Sequence, residues 1–201
     1  MSSQKHLNKR EQIVNSTITV MQEIGYEETS VRAICEAANI SIGTFYHYFK
    51  DKTELLNLIL GKIDIYLENE IRPLLTSPSA SVNLKTFALG FAKETSLSSY
   101  IYGGVLSSPK IPLPHEKAEI TEEKHRTLYT IPKEIIENGQ ATGEFSTHYP
   151  ADDLVDKLIT CLRGCAMDWA RRHYNYNIEE YILSFMDIFC NAITNMKPND
   201  N

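Results

Sequence analysis

Seven consecutive residues, Gly43-Thr44-Phe45-Tyr46-His47-Tyr48-Phe49, place an aliphatic hydroxyl, two phenols and an imidazole among two phenylalanines and a glycine. In a helix Phe45 and Phe49 lie four apart and share one face. Thr44, Tyr46, His47 and Tyr48 then turn outward with hydrogen-bond donors and acceptors. A core helix would show Leu at those positions. A short helix with two aromatic anchors and a polar outer face suits the edges of bases and the phosphates that line a DNA major groove. Gly43 lets the backbone approach a partner closely. Thr44 can hydrogen-bond a base edge or set its methyl against a thymine methyl.

The flanking residues supply the elements that would hold this helix. Val31, Ile34, Cys35 and Ala38 recur at helical spacing and predict a short preceding helix, capped by Thr29 or Ser30. Asn39-Ile40-Ser41 reads as the turn: Asn tolerates the left-handed conformation that ends a helix, and Ser41 caps the next one at about Ile42–Tyr48. Upstream, residues 1–8 read as a loose polar arm. Ile13, Val14, Thr17, Val20, Met21 and Ile24 predict a supporting helix over Lys9–Ile24, ended by Gly25. Downstream, Asp51 or Thr53 caps a helix that runs to about Arg72, roughly 30 Å at 1.5 Å per residue, long enough to join one domain to another.

The run from Gly43 to Lys50, followed by Asp51-Lys52-Thr53-Glu54-Leu55, resembles the helix-turn-helix signature of the tetracycline-repressor (TetR) family. The resemblance is close over residues 7–68, with the helix-turn-helix at 30–49, and otherwise concerns layout. It implies an all-α protein with an N-terminal three-helix DNA-binding domain at 7–68. A C-terminal helical domain at 69–201 would bind an effector and dimerise. The implied DNA-contacting positions are Thr29, Ser41, Ile42, Gly43, Thr44, Tyr46, His47, Tyr48 and Lys52. Tyr46, His47, Tyr48 and Lys52 match positions that hold phosphates in the family, and Thr29 a capping and phosphate position. Position 42 often carries a polar residue in the family. Ile42 cannot make a bidentate contact with guanine, which shifts the expected sequence preference.

Charge agrees with a reader that needs a twin. The chain of 201 residues has a formal net charge of −6. Residues 1–52 hold six basic and six acidic side chains, so the excess negative charge falls in the remainder, with fourteen basic and twenty acidic. Few phosphate contacts per subunit are therefore expected, with a steep loss of affinity in salt. The ten N-terminal residues lack an apolar run of the kind a secretory signal carries, and no apolar stretch nears the ~18 residues that span a bilayer. A cytoplasmic address is expected. Cys35, Cys161, Cys165 and Cys190 then read as free thiols, the pair at 161 and 165 sharing a helix face. No Gly-rich phosphate loop, nucleophile motif or zinc spacing is present, so no enzyme, cofactor or metal is expected.

After a loop at 76–81, apolar periodicity predicts helices over 82–99, 115–138 (with Pro132 a candidate kink), 150–173 and 178–196. The resemblance makes the aromatic population of the middle helices an effector pocket, with Phe87, Phe91, Tyr100, His125, Tyr129 and Trp169 as candidate contacts. His125 is expected on the helix face of Tyr129. The last two helices match the family's dimerisation pair, with Leu158, Gly164, Cys165, Tyr181, Phe185 and Phe189 as candidates. The implied function is a homodimeric regulator, most simply a repressor released from a palindromic operator by a small molecule. Its two reading helices would stand about 34–36 Å apart. A helical ligand-binding or adaptor protein, whose hairpin meets protein instead of DNA, is the alternative.

Overall fold

The computed structural model describes residues 2–98 and 125–196; the aromatic candidate Tyr100 falls outside them. Every regular element among the described residues is helical, as expected. The described residues form eight α-helices: α1 (Ser2–Glu28), α2 (Val31–Ala37), α3 (Ile42–Tyr48), α4 (Lys52–Tyr66), α5 (Ala80–Leu97), α6 (Thr127–Ala141), α7 (Ala151–Arg171) and α8 (Ile178–Asn195). A π-helical turn, Leu67–Ile71, and a 3-10 turn, Arg72–Leu74, follow α4. No described helix is long and apolar enough to cross a membrane.

The described chain forms two compact units that part between Lys62 and Ile63, inside α4. The sequence-based boundary was set at 68/69, where α4 has already given way to the π-helical turn.

In the first unit, Ile13, Val14, Thr17, Val20 and Met21 of α1 are buried, as their spacing requires, with Ile34, Cys35 and Ala38, Phe45 and Phe49, and Leu55 and Ile59. Thr17 is tolerated there because its hydroxyl donates to the Ile13 carbonyl at 2.8 Å. Ile24, placed on the same stripe from spacing, is instead 47% exposed. The reason follows it directly. Gly25 adopts φ 78°, ψ 165° and breaks the helix, a backbone region open essentially to glycine alone. The polar arm is not loose: its backbone is helical from Ser2.

In the second unit α5 is central and packs against α6, α7, α8 and the π-helical turn. It buries residues around its circumference, among them Leu84, Phe87, Ala88, Phe91 and Ala92. Two glycines permit the closest approaches. A Cβ on Gly139 of α6 would meet Ala80 at 2.8 Å and the Phe145 ring closer still, and one on Gly90 would meet Ile71.

Two helix starts in this unit are closed by remote carboxylates. Glu144 accepts from the Ser79 hydroxyl at 2.7 Å and from the Ala80 and Ser81 amides at 2.7 and 2.8 Å, which satisfies the first turn of α5. Burial pushes its carboxyl up, but these hydrogen bonds outweigh burial and hold it below the usual carboxylate range. Asp64 of α4 accepts from the Leu128 amide at 3.0 Å at the start of α6 and pairs with Arg126 at 2.9 Å. Pro132 is buried inside α6, which runs on to Ala141. α7 and α8 are joined by a turn in which His173 and Tyr174 take positive φ, and Asn177 caps α8 through the amides of Glu179 and Glu180.

Candidate nucleic-acid interface

The turn between α2 and α3 forms because each position has a local reason to be there. Ser30 accepts from the Ala33 amide at 3.1 Å and starts α2. Asn39 takes φ 48°, and the Ile40 amide donates back to the Cys35 carbonyl at 3.0 Å. Ser41 then accepts from the Thr44 amide at 3.0 Å and starts α3. A side-chain hydrogen bond also ties α1 to this turn: Gln12 donates to the Ala38 carbonyl at 3.0 Å.

Phe45 and Phe49 anchor α3 from within, fully buried, with ring centroids 5.7 Å apart. The Arg10 guanidinium lies over the Phe49 ring at 5.3 Å and pairs with Glu54 at 3.8 Å. Asp51, one of the two capping candidates, closes α4 by accepting from the Glu54 amide at 2.8 Å, while Glu54 accepts from the Lys50 amide at 2.7 Å.

The outer face of α3 carries Ile42, 50% exposed, Gly43, Tyr46, 56% exposed, and His47, with Thr44 and Tyr48 half-buried beside them. The Thr44 hydroxyl lies 2.8 Å from that of Ser41, so one of the two donates to the other. Thr29 and Lys52 differ from the expectation in kind. Thr29 is buried; its hydroxyl donates to the Gly25 carbonyl at 2.6 Å and its own carbonyl accepts from the Lys52 ammonium at 2.9 Å. Both brace the entry to α2. His6 was not singled out from sequence, yet it packs against Tyr48 at 4.4 Å and His47 at 5.8 Å between ring centroids. An arm read as unstructured carried no periodicity to point there.

Residues 13–59 match the family described as "Bacterial regulatory proteins, tetR family". The N-terminal unit is a tetR-family domain. The matched stretch starts at Ile13, buried in α1, and ends at Ile59, buried in α4. The HTH-type transcriptional repressor KstR of Mycolicibacterium smegmatis is 34% identical to this chain over 62 residues, 31% of this chain and 30% of that protein. The HTH-type transcriptional regulator BetI of Klebsiella pneumoniae is 31% identical over 94 residues, 45% and 48% of the two chains. The chain thus spans a third to a half of the length of these curated relatives. Solved structures extend the likeness of fold beyond the tetR-family domain. The fatty acid degradation regulator FadR of Bacillus halodurans gives a TM-score of 0.75 at 19% identity, over 90% of this chain and 94% of that one. FadR of Bacillus subtilis, solved with stearoyl-CoA, gives 0.70 at 18% identity over 93% and 99%.

The remaining candidates lie in the second unit. Phe87 and Phe91 are buried on α5, four apart. One helical turn on, the buried Thr95 hydroxyl has no hydrogen-bond partner among the described residues, a polar atom in an apolar stripe that sequence reasoning passed over. His125 is exposed and precedes α6, which begins at Thr127, so it does not share a helix face with Tyr129. The Tyr129 phenol is engaged by Arg163 at 3.1 Å. Trp169 is buried and donates its indole N–H to the Tyr176 carbonyl at 2.8 Å, which fixes the turn after α7. An open groove of about 470 Å³ beside that turn is lined by Asp168, Arg172, Tyr176, Asn177, Glu180 and Tyr181. Burial and the neighbouring Asp168 push the Tyr176 phenol up to about 12.

Among the dimerisation candidates, Leu158 is fully buried within the subunit and so already has its partners. Gly164 is exposed and a Cβ there would meet nothing within 4 Å. Cys165 is half-buried. Phe185 and Phe189 are half-buried with rings 5.9 Å apart, and Tyr181 is 50% exposed. Ile188, 68% exposed, extends the same side of α8.

Proposed function

We propose that the chain is a DNA-binding transcriptional regulator that reads an operator as a homodimer and is released by a small molecule. One observation carries the reading. α3 is fastened from within by Phe45 and Phe49, while Ile42, Gly43, Tyr46 and His47 stand outward and exposed. Burying two rings while leaving a phenol, an imidazole and a bare backbone exposed is the arrangement a major groove requires. Ile42 and the Thr44 methyl favour thymine methyls at the positions they meet. Tyr46, His47 and Tyr48 hold phosphates, and Thr29 and Lys52 set the angle at which α2 enters.

The tetR-family domain supports this reading, and the curated relatives are named as a transcriptional repressor and a transcriptional regulator. Gel-shift titration of the DNA upstream of the chain's own gene tests it. Binding that weakens steeply between 50 and 200 mM salt is the expected result; no shift at low salt refutes it. Tyr46→Ala should weaken that binding by about tenfold, the worth of one hydrogen bond to a charged group, and leave the oligomeric state unchanged in sedimentation.

Dimerisation is assigned to the exposed apolar side of α8, Tyr181, Phe185, Ile188 and Phe189, with Gly164 and Cys165 of α7. A second copy placed there makes a four-helix bundle, and the open space over Gly164 admits a close helix crossing. Phe185→Glu should convert the dimer to a monomer in sedimentation velocity, because a buried unpaired carboxylate costs several kcal/mol. A dimer that survives moves the interface elsewhere. The effector is assigned to the α5 stripe of Phe87, Phe91 and Thr95, whose composition suits an apolar ligand with one hydrogen-bonding group. Release follows if the ligand favours the conformation that reads DNA poorly. Stearoyl-CoA, the ligand solved with FadR of Bacillus subtilis, is a natural first compound to titrate against the protein–DNA complex.

A further inference from the structure

The first turns of α1 reach the outward side of α3, and histidines make the contact. His6 and His47 are both exposed, and their rings meet edge to face at 5.8 Å between centroids. The Tyr48 ring closes the triangle, 4.4 Å from His6 and 5.1 Å from His47. Neither imidazole is ion-paired or hydrogen-bonded among the described residues. The charged residues on the elements that carry the cluster are Lys5, Lys9, Arg10, Glu11, Glu23, Glu27 and Glu28 on α1, with Lys50 and Asp51 just after α3. Arg10 is engaged by Glu54, and Glu54 also accepts from the Lys50 amide. No described carboxylate is therefore paired with either imidazole, in a segment whose charges otherwise cancel.

We infer that His6, His47 and Tyr48 form a proton-linked site for a DNA phosphodiester, so that α1 contributes directly to the DNA surface. This rests on the DNA-binding reading above and adds a residue and a regulation to it. A neutral imidazole offers a phosphate one N–H; an imidazolium offers two and a positive charge. A phosphodiester at the pair favours the charged form of each ring, so binding takes up protons. By linkage, affinity then rises as pH falls through the imidazole range and drops as pH rises above it. Each imidazolium that meets a phosphate also releases counterions, which adds about 0.9 to the slope of log affinity against log salt.

The test uses the full chain and a fluorescein-labelled 40-base-pair duplex of random sequence, followed by anisotropy at pH 6.0 and pH 8.0 over a series of salt concentrations. Wild type is expected to bind at least about tenfold more tightly at pH 6.0, with a salt slope steeper by as much as about two per subunit. His6→Gln should remove about half of the added slope, and His6→Gln with His47→Gln nearly all of it. Circular dichroism melts matching wild type establish that these exposed substitutions leave the fold intact. The double variant also cancels the chain-wide gain of positive charge at low pH, which it shares with wild type. Duplex binding with the same affinity and slope at both pH values overturns this inference and leaves the DNA-binding reading standing. A double variant that keeps the wild-type gain also overturns it. Absence of duplex binding at either pH overturns the DNA-binding reading itself.

Discussion

Phe45→Ala is expected to destabilise the tetR-family domain by about 3–5 kcal/mol, the usual cost of emptying a buried phenylalanine site. Phe45 is fully buried, its ring meets those of Phe49 and Tyr46 at 5.7 and 5.4 Å, and it is the only residue within the seven of α3 that is buried. The half-buried Tyr48, packed on His6 at 4.4 Å between ring centroids, adds only a peripheral contact. A helix of two turns has too few internal hydrogen bonds to persist without tertiary packing, so losing the anchor should release α3 and then the turn before it. Urea titration read by hydrogen exchange of the α2 and α3 amides should show them opening first. The second unit buries an independent set of residues around α5 and should keep its own transition. A single unfolding transition at the wild-type midpoint would show that α3 is held by something other than its two aromatic anchors. Domains this small commonly have only ~5–10 kcal/mol in hand, so DNA binding should vanish with the anchor even where the rest of the chain stays folded.

Glu144→Ala carries the second large effect, placed in the other unit. It removes one carboxylate and strands the Ser79 hydroxyl and the Ala80 and Ser81 amides at the start of the helix on which the unit is built. Part of the loss is relieved by water, because Glu144 is only half-buried. The remainder, a charged capping interaction with several unpaired donors, amounts to about 2–3 kcal/mol. The pH dependence has a definite sign. The Glu144 carboxyl is depressed in the folded state, so its stabilisation is complete above the ordinary carboxylate value, about 4.3, and is lost as pH falls through the folded value below it. The gap in melting temperature between wild type and Glu144→Gln should therefore hold from pH 7 down to about 5 and close under stronger acid. A gap that widens on acidification would mean that the carboxyl is not depressed.

What could be read from sequence followed interaction range. The caps at Ser30, Ser41 and Asp51, the left-handed Asn39 and the break at Gly25 are fixed by neighbours within four residues, and their residue types announce them. The division of α3 into two anchors and an outer face needs only the helical repeat. Glu144 and Asp64 close helices 64 and 64 positions away in sequence, and no local pattern marks a carboxylate for such a task. The same limit separates Leu158 from Phe185. Both are apolar and both sit on amphipathic helices, yet only the packed fold shows that Leu158 is used up inside the subunit while Phe185 is half-open. His125 drew attention through its spacing to Tyr129, but α6 starts two residues after it, which spacing alone could not foresee. Thr29, a capping and phosphate position by resemblance, and Lys52, a phosphate position by resemblance, turn out to carry a buried hydroxyl and an ammonium bonded to a backbone carbonyl, contacts that no local pattern announces.

The boundary between the two units at Lys62 and Ile63 falls within a continuous helix. Leu55 and Ile59 are buried in one unit, and Ile63 in the other, at consecutive steps of four along one helical face. A single residue inserted at this point would advance the rest of α4 by 1.5 Å and turn it by about 100°, so that Ile63 would leave the helical face that Leu55 and Ile59 share. A chimera joined inside α4 must therefore keep the repeat of this helix, and a junction that would be harmless in a loop becomes here a frameshift in space.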